Sequence, residues 1–167
     1  MITQQAIQLF DLNVGIYPSH KGLEYLVEWI TQTGELPLIS GFKRKELDLI
    51  NLKEWLDTAL HFTITSFNNN IIGLSTLSTQ EAELPHDTIE VCHTIVKPEF
   101  RRLYNGATMI LKSSSLAKQE GYKRVVGRVA KINEAGMSLL NNLRWSKIEN
   151  KNFSDDVSVT WFEKRFI

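Results

Sequence analysis

A turn with two arginines and a glycine lies between a predicted strand and a predicted helix, within residues 97–111. The first backbone N–H groups of a helix have no partner inside the helix, and the helix dipole there favours negative charge. Gly106 has no side chain, so a phosphate can approach the backbone closely. Residues 97–131 contain nine basic residues, including Arg101 and Arg102, against two acidic ones. The pattern predicts a site for a polyanionic ligand, although a capped helix with a solvated basic face explains it equally well.

Two common phosphate-binding motifs are absent from this turn. No Gly-Lys-Ser/Thr follows it, so it is not a P-loop. It also lacks the three glycines of a dinucleotide-binding fingerprint.

The strand before the turn carries side chains with acid–base or nucleophilic chemistry. Its residues alternate, with Ile89, Val91, His93 and Ile95 on one face and Glu90, Cys92, Thr94 and Val96 on the other. His93 titrates near neutrality, but its place on the apolar face favours a buried core histidine. Cys92 is a candidate for an acyl-enzyme, yet a lone strand cysteine is more often a small buried hydrophobic residue.

Helices and strands share the chain in an order that predicts a single sheet with helices packed on it. Helical spacing marks Leu23 to Ile30, Leu47 to Leu60, residues 105–120 and a short helix capped by Asn133. Period-two patterns mark a hairpin formed by residues 62–66 and 71–77, then strands at 88–96, 123–130, 145–148 and 157–162. The first third is predicted to be helical, and the whole is an α/β or α+β fold.

Length and composition exclude several classes of protein. The 167 residues suit one domain spanning residues 1–167, and 43% hydrophobic residues suit a globular core. Equal numbers of basic and acidic residues make nucleic acid an unlikely partner. The single cysteine excludes a disulfide framework, and the four histidines show no metal-ligand spacing. With no apolar run near the ~20 residues of a membrane span, and no signal-peptide pattern in Met1 to Phe10, we expect a cytoplasmic protein with no membrane association.

Two segments together resemble a known family. The sequence Val96-Lys-Pro-Glu-Phe-Arg-Arg-Leu-Tyr-Asn-Gly-Ala is similar to the acyl-CoA-binding motif of GNAT-superfamily N-acetyltransferases, with Arg101 as the motif arginine and Gly106 as its second glycine. Residues 133–145 resemble the family's second motif, and the hairpin ending in Ile71-Ile-Gly resembles its central strands. The resemblance covers roughly residues 60–148. An alternative register uses Arg102, Asn105 and Ala107.

The resemblance implies a mixed, mostly antiparallel sheet with helices on both faces and a splayed parallel strand pair at the centre. The implied cofactor is acetyl-CoA (coenzyme A), whose arm pairs with one strand beside a bulge. The implied cofactor-binding residues are Thr94, Ile95, Val96, Arg101, Arg102, Leu103, Tyr104, Asn105, Gly106 and Asn133. The implied reaction is direct attack of a neutral amine on the thioester. Because an amine with a pKa of ~10 is protonated at neutral pH, a base is useful, and Glu90 is the candidate. An ordinary strand glutamate paired with an arginine is the alternative.

Three positions depart from the family pattern. Tyr104 replaces the first motif glycine, which is tolerable if its φ is negative and its ring points outward. Arg144-Trp145 replaces a Gly-Phe pair. Leu140 stands where the family often has a general-acid tyrosine, and it cannot donate a proton. The expected function is therefore acetyl transfer, with a non-catalytic acyl-CoA-binding module, or a domain for another phosphate ligand, as alternatives.

The acceptor is expected to be a small amine or a peptide amine that enters against the N-terminal helices and the loop at residues 78–90. Glu81, Glu83, Asp87 and Glu90 make that region acidic, which favours a cationic amine, although a solvated acidic loop explains them equally well. The tryptophans are interpreted as core or interface residues, which leaves a homodimer open: Trp29, Trp55, Trp145 and Trp161.

Overall fold

The computed structural model describes residues 10–39, 46–80, 82–149 and 158–167. The helices are α1 (His20–Gln32), α2 (Leu49–Thr58), α3 (Asn105–Gln119) and α4 (Glu134–Asn142). The strands are β1 (Asp11–Val14), β2 (His61–Phe67), β3 (Asn70–Ser78), β4 (Thr88–Val96), β5 (Arg124–Ala130), β6 (Ser146–Ile148) and β7 (Val159–Arg165). Short 3-10 turns occupy Leu36–Leu38 and Pro98–Phe100.

The seven strands form one sheet in the order β1-β2-β3-β4-β5-β7-β6. Every pairing is antiparallel except that of β4 with β5, which is parallel. The predicted fold class is therefore confirmed, including the central parallel pair. The prediction that the first third is helical is wrong for Asp11–Val14, which pairs with β2. That strand has only four residues, too few for a period-two pattern to stand out.

Helices cover both faces of the sheet because each has one apolar stripe to bury. Ser19 caps α1 and Asp48 caps α2, and both helices pack against one face through a core that includes Leu26, Leu52 and Leu74. On the other face, α3 and α4 pack on a second core, which contains Ile110, Leu140, Leu77, Val91 and Val125. Among the described residues, no helix is both long enough and apolar enough to cross a bilayer.

The parallel pair is joined only at its beginning. Thr88, Ile89 and Glu90 of β4 lie in register with Arg124, Val125 and Val126 of β5. Beyond that point β4 continues to Val96 and β5 to Ala130 without further pairing. The two strands therefore diverge and open a V in the middle of the sheet.

A β-bulge in β4 accompanies this divergence. Thr76 pairs with Cys92 and Leu74 pairs with Ile95, so two steps along β3 match three steps along β4. The backbone of His93 has a φ of 48°, in the left-handed region. An extra residue of this kind bends a strand and leaves part of its ladder unpaired. The bulge implied by the family resemblance is therefore present.

The bulge overturns the strict alternation predicted for β4. His93 stacks on Trp55 of α2, and Ile95 packs in the core beneath α1 and α2. Thr94 instead lies on the face of Val91, where its hydroxyl is 2.7 Å from that of Ser75. The predicted faces are correct from Ile89 to Cys92 and wrong from His93 onward. The physical reason is the inserted residue, which reverses the parity of every position after it.

Candidate functional site

The V between β4 and β5 forms a cleft of about 120 Å³. Residues from two strands, two helices, one 3-10 turn and two loops line it: Leu38, Val91, Thr94, Ile110, Gly127, Arg128, Val129, Asn133, Gly136, Leu139, Leu140 and Trp145. A larger depression, about 460 Å³, lies beside α1 and β1 around Tyr17 and Gly22, and none of the predicted site residues lines it. Of the predicted site residues, the side chains of Thr94 and Asn133 line the smaller cleft.

The end of β4 supplies the first group of predicted residues. The side chain of Thr94 lines the cleft, and that of Ile95 is buried beneath the first two helices. Val96 faces Gly106, since its Cγ2 would lie 3.8 Å from a Cβ placed there. Because β5 has already diverged, the backbone of these three residues faces the cleft without a strand partner on that side.

The side chain of Arg101 turns away from the predicted phosphate site, towards the end of α1. Its Nε donates to the carbonyl of Val96 at 2.8 Å, and its Nη1 donates to Oε1 of Glu35 at 2.9 Å. Its Nη2 donates to the other carboxylate oxygen of Glu35. The hydrogen bond from Arg101 holds the pKa of Glu35 below its ordinary value. The backbone N–H of Arg101 donates to the carbonyl of Pro98 at 3.2 Å.

The turn after Arg101 has the backbone shape of an anion-binding loop. Arg102 and Tyr104 both have a φ of 63°, and successive amides next to left-handed residues are a common way in which a backbone forms an anion-binding concavity. Tyr104 precedes the first residue of α3, and no side chain caps that helix end. Within the described part of the chain, none of the backbone amides from Arg102 to Tyr104 donates a hydrogen bond. These amides are therefore free to bind an anion.

The condition placed on Tyr104 is met only in part. Its ring points outward and is 57% exposed, as expected. The other half of the condition, a negative φ, is not met, since the residue is in the left-handed region. A side chain there costs roughly 1–2 kcal/mol because its Cβ crowds the backbone.

The first residues of α3 and α4 complete the walls. Asn105 is buried at the beginning of α3, whereas Gly106 is open enough that a Cβ would meet Leu139 only at 3.4 Å. Asn133 lines the cleft and caps α4, as predicted, because its Oδ1 accepts from the backbone N–H of Gly136 at 2.9 Å. Leu140, at the position of the family's tyrosine, is buried and lines the same cleft.

Glu90 is fully buried and paired with an arginine, as its alternative interpretation predicted, and the partner is Arg128. Nε of Arg128 lies 2.8 Å from one carboxylate oxygen of Glu90, and Nη2 lies 3.3 Å from the other. The guanidinium also lies over the ring of Trp161, 5.3 Å from its centroid. Arg128 lines the cleft, while Glu90 is the last residue of β4 that pairs with β5. The carboxylate therefore sits at the apex of the V with an arginine between it and the cleft.

His93 and Cys92 lie in the interior, as the alternatives to a catalytic role predicted. The ring of His93 stacks on Trp55 at 4.1 Å, and its Nδ1 is 2.8 Å from the hydroxyl of Thr76. Burial, together with the positive charge of Arg128, lowers the pKa of His93 to about 3. The imidazole is neutral near pH 7. Cys92 is a buried free thiol.

The acidic loop before β4 contributes less free charge than its composition suggests. Glu81 lies outside the described residues, and Glu90 is paired with Arg128. Asp87 by contrast keeps its charge near pH 7, since a hydrogen bond from the Thr88 hydroxyl is the main cause that lowers its pKa. Ala82 and Leu84 pack against Val126 and Trp161, so this loop covers the sheet beside Arg128. Among the described residues, no group of three potential metal ligands occurs.

Sequence reasoning missed Glu35, Arg128 and Trp161 as residues that shape the site. A signal for Arg128 existed, because it shares a strand face with Arg124 in an otherwise apolar strand. Glu35 gave no such signal, since it follows the end of a helix among ordinary turn residues.

Comparison with known proteins places the chain among acetyltransferases. The acetyltransferase (GNAT) family model matches residues 23–142. A GNAT-family acetyltransferase from Staphylococcus aureus Mu50 shares 15% identity and has a TM-score of 0.71, with 93% of this chain and 99% of that one covered. YncA from Salmonella typhimurium, a putative acetyltransferase solved with acetyl-CoA, shares 12% identity at a TM-score of 0.71 (93% and 94% covered). The PaiA N-acetyltransferase of Thermoplasma acidophilum, in complex with coenzyme A, shares 17% sequence identity at a TM-score of 0.63, with 93% of this chain and 99% of that one covered. No curated protein sequence matches.

We expect His93 to make folding stability depend on pH. Its pKa is about 3 in the folded protein against 6.5 for the free side chain, so the unfolded chain binds more protons between these values. The contribution of the neutral His93 to the free energy of unfolding is fully present above pH ~6.5. The free energy of unfolding then falls by up to about 1.4 kcal/mol per pH unit as the pH drops towards 3. Urea unfolding at about pH 5 and pH 7 measures this difference. His93→Asn, which tolerates the positive φ, should reduce it, and an unchanged difference would contradict the assignment.

We expect Glu90→Gln to destabilise the fold by about 3–5 kcal/mol, because removing one partner of a buried ion pair costs that much. The matched double variant Glu90→Gln/Arg128→Met removes both charges and should be more stable than the single variant. Denaturant unfolding of the three proteins gives the comparison. A single variant as stable as the wild type would show that the pair does not contribute as its burial suggests.

Proposed function

Because the chain belongs to the GNAT acetyltransferase family, we propose that it binds acetyl-CoA between β4 and β5 and transfers the acetyl group to a primary amine by direct attack. The observation that carries this proposal is the V-shaped cleft, which has an anion-binding turn at its outer end. A long cofactor with a diphosphate at one point and a thioester at its tip fits such an arrangement.

We propose that the turn from Arg102 to Gly106 holds the diphosphate. The free amides of Arg102 to Tyr104 and the uncapped beginning of α3 offer several N–H donors in one concavity. Gly106 leaves room for the ligand to approach the helix. The exposed side chain of Arg102 adds positive charge. In this arrangement Arg101 contributes no phosphate contact through its side chain, which Glu35 already engages.

The backbone of Thr94, Ile95 and Val96 is our candidate for binding the pantetheine arm. These residues follow the bulge and face the opening that β5 has left, so an extended ligand can add there like a strand. Asn133 and the apolar side chains of Leu139 and Leu140 lie on the opposite wall. Bound acetyl-CoA supplies the activated thioester, and the chain's own residues orient it and exclude water.

Glu90 remains our candidate for the group that receives the amine's proton. Its carboxylate lies at the apex of the cleft, but Arg128 engages both of its oxygens. As a base, it must exchange one guanidinium hydrogen bond for the proton of the attacking amine. Measuring CoA release with a panel of small and peptide amines tests the reaction. The variant Glu90→Gln/Arg128→Met is the comparison, because it removes the base without leaving its buried partner charged.

Leu140 supports a second candidate function, a non-catalytic acyl-CoA-binding module. A leucine that lines the cleft cannot protonate the departing thiolate, and a missing positioned acid typically costs about 10²–10⁴-fold in rate. A thiolate of pKa ~8.5 is still a tolerable leaving group with water as the proton source. Tight binding of acetyl-CoA without turnover of any amine in the panel would favour the binding module.

We expect Gly106→Trp to abolish acetyl-CoA binding while the protein stays folded. An indole at this position would fill the space beside Leu139 where the ligand must pass. Gly106→Ala is the matched control, since its Cβ would be 3.4 Å from Leu139, an ordinary contact. Calorimetry with acetyl-CoA, ATP and NAD measures both variants. Acetyl-CoA binding that survives in the tryptophan variant, or equal wild-type affinities for all three ligands, would refute this site.

We expect Leu140→Tyr to raise the rate of acetyl transfer by about ten-fold or more, because it restores a proton donor at the cleft wall. Leu140→Phe is the matched control, since it differs from the tyrosine variant only by the hydroxyl group. Initial rates of CoA release with the best amine of the panel decide the comparison. Equal rates for the two variants would show that position 140 does not face the leaving group.

A further inference from the structure

The motif arginine, Arg101, is bonded to a segment on the other side of the sheet opening. Its guanidinium makes a paired contact with both carboxylate oxygens of Glu35, and its Nε holds the carbonyl of Val96. Paired contacts of this kind fix orientation as well as position. The contact joins the loop after β4 to residues 66 positions earlier in the chain.

Glu35 begins the turn that places Leu38 at the cleft. The backbone N–H of Glu35 donates to the Thr33 hydroxyl at 3.1 Å, and its carbonyl accepts from Leu38 at 2.8 Å. Leu36 and Ile39 are buried in the core under α1 and α2, while Leu38 lines the cleft together with Arg128. The turn thus contributes Leu38 to the cleft wall from the side of the sheet on which α1 and α2 pack.

We propose that Arg101 is a positioning residue for the acceptor side of the cleft, acting through Glu35, rather than a ligand of the cofactor's diphosphate. The inference rests on the proposed function, since it assigns Leu38 and its turn to the wall that the amine approaches. The Glu35 carboxylate neutralises the guanidinium, which reduces its attraction for a phosphate. The cofactor loop and the acceptor wall are then held together by one ion pair.

The two possible roles of Arg101 predict different effects of Glu35→Gln on acetyl-CoA affinity. If Arg101 binds the diphosphate, Glu35 competes with it, so Glu35→Gln tightens acetyl-CoA binding while Arg101→Ala weakens it. If Arg101 positions the turn, both variants release the same segment. They then change acceptor kinetics in the same direction and leave acetyl-CoA affinity within about two-fold of the wild type.

Hydrogen exchange of the full-length protein measures the turn directly. The amides of Leu38 and Ile39 are protected by bonds to the carbonyls of Glu35 and Leu36. We expect Arg101→Ala and Glu35→Gln each to speed their exchange by about two- to five-fold, the range for a partly exposed ion pair. Exchange at the Thr33 amide, which caps the end of α1, should not change. Arg101→Lys should restore part of the protection.

Arg102→Ala is the matched control, because it removes a neighbouring arginine that we place at the diphosphate. It should weaken acetyl-CoA binding, measured by calorimetry, without changing exchange at Leu38 or Ile39. With 1,4-diaminobutane as a primary-amine probe, Arg101→Ala and Glu35→Gln should each raise the KM for the amine by about two- to five-fold and leave kcat unchanged.

Three results would overturn the inference. The first is unchanged hydrogen exchange at Leu38 and Ile39 in both Arg101→Ala and Glu35→Gln. The second is tighter acetyl-CoA binding in Glu35→Gln together with weaker binding in Arg101→Ala. The third is a change in kcat for the probe amine with no change in KM. Failure of the wild type to bind acetyl-CoA would instead refute the proposed function, and the exchange measurement distinguishes the two cases.

Discussion

The divergence of β4 from β5 after Glu90 and Val126 is the constraint on which the site depends. A parallel pair in the middle of a sheet normally satisfies its backbone groups along its whole length, so the opening needs a cause. The bulge at His93 supplies one, since it bends β4 and reverses the facing of every residue after it. The packing of His93 on Trp55 holds that bulge in place. The cleft and its backbone wall lie where the two strands have diverged.

Two ion pairs border the cleft, and they differ in the environment that surrounds them. Glu90 and Arg128 are buried together at the apex, where both charges are satisfied by each other and the guanidinium also lies over Trp161. Arg101 and Glu35 are about one-third exposed, so solvent weakens their electrostatic attraction. This pair therefore contributes little to the stability of the fold. The Glu90–Arg128 pair therefore contributes to folding stability, whereas the Arg101–Glu35 pair connects the loop after β4 to the turn that follows α1.

Several features were predictable because they depend on local patterns. The helices α1 and α3, the hairpin of β2 and β3, and the cap at Asn133 follow from periodicity and from side chains that bond to nearby backbone. The faces of β4 after Cys92 were predicted incorrectly, and the negative φ that was the condition for Tyr104 does not occur. Both features depend on backbone conformations that the surrounding structure imposes, and no property of those residues alone signals them. The partners of Glu90 and Arg101 were also out of reach, since they lie 38 and 66 positions away in the chain.

The sequence by itself determined the class of fold, the glycine-containing turn before α3 and the resemblance that led to an acyl-CoA site. These depend on residue type and short spacings, which are visible along one chain. Only the tertiary structure decided which side chains are available for chemistry. It placed Arg101 on Glu35 and Glu90 on Arg128, and it buried His93 and Cys92. Charge pairing and burial are set by residues distant in sequence and close in space, so they become known only when the chain is folded.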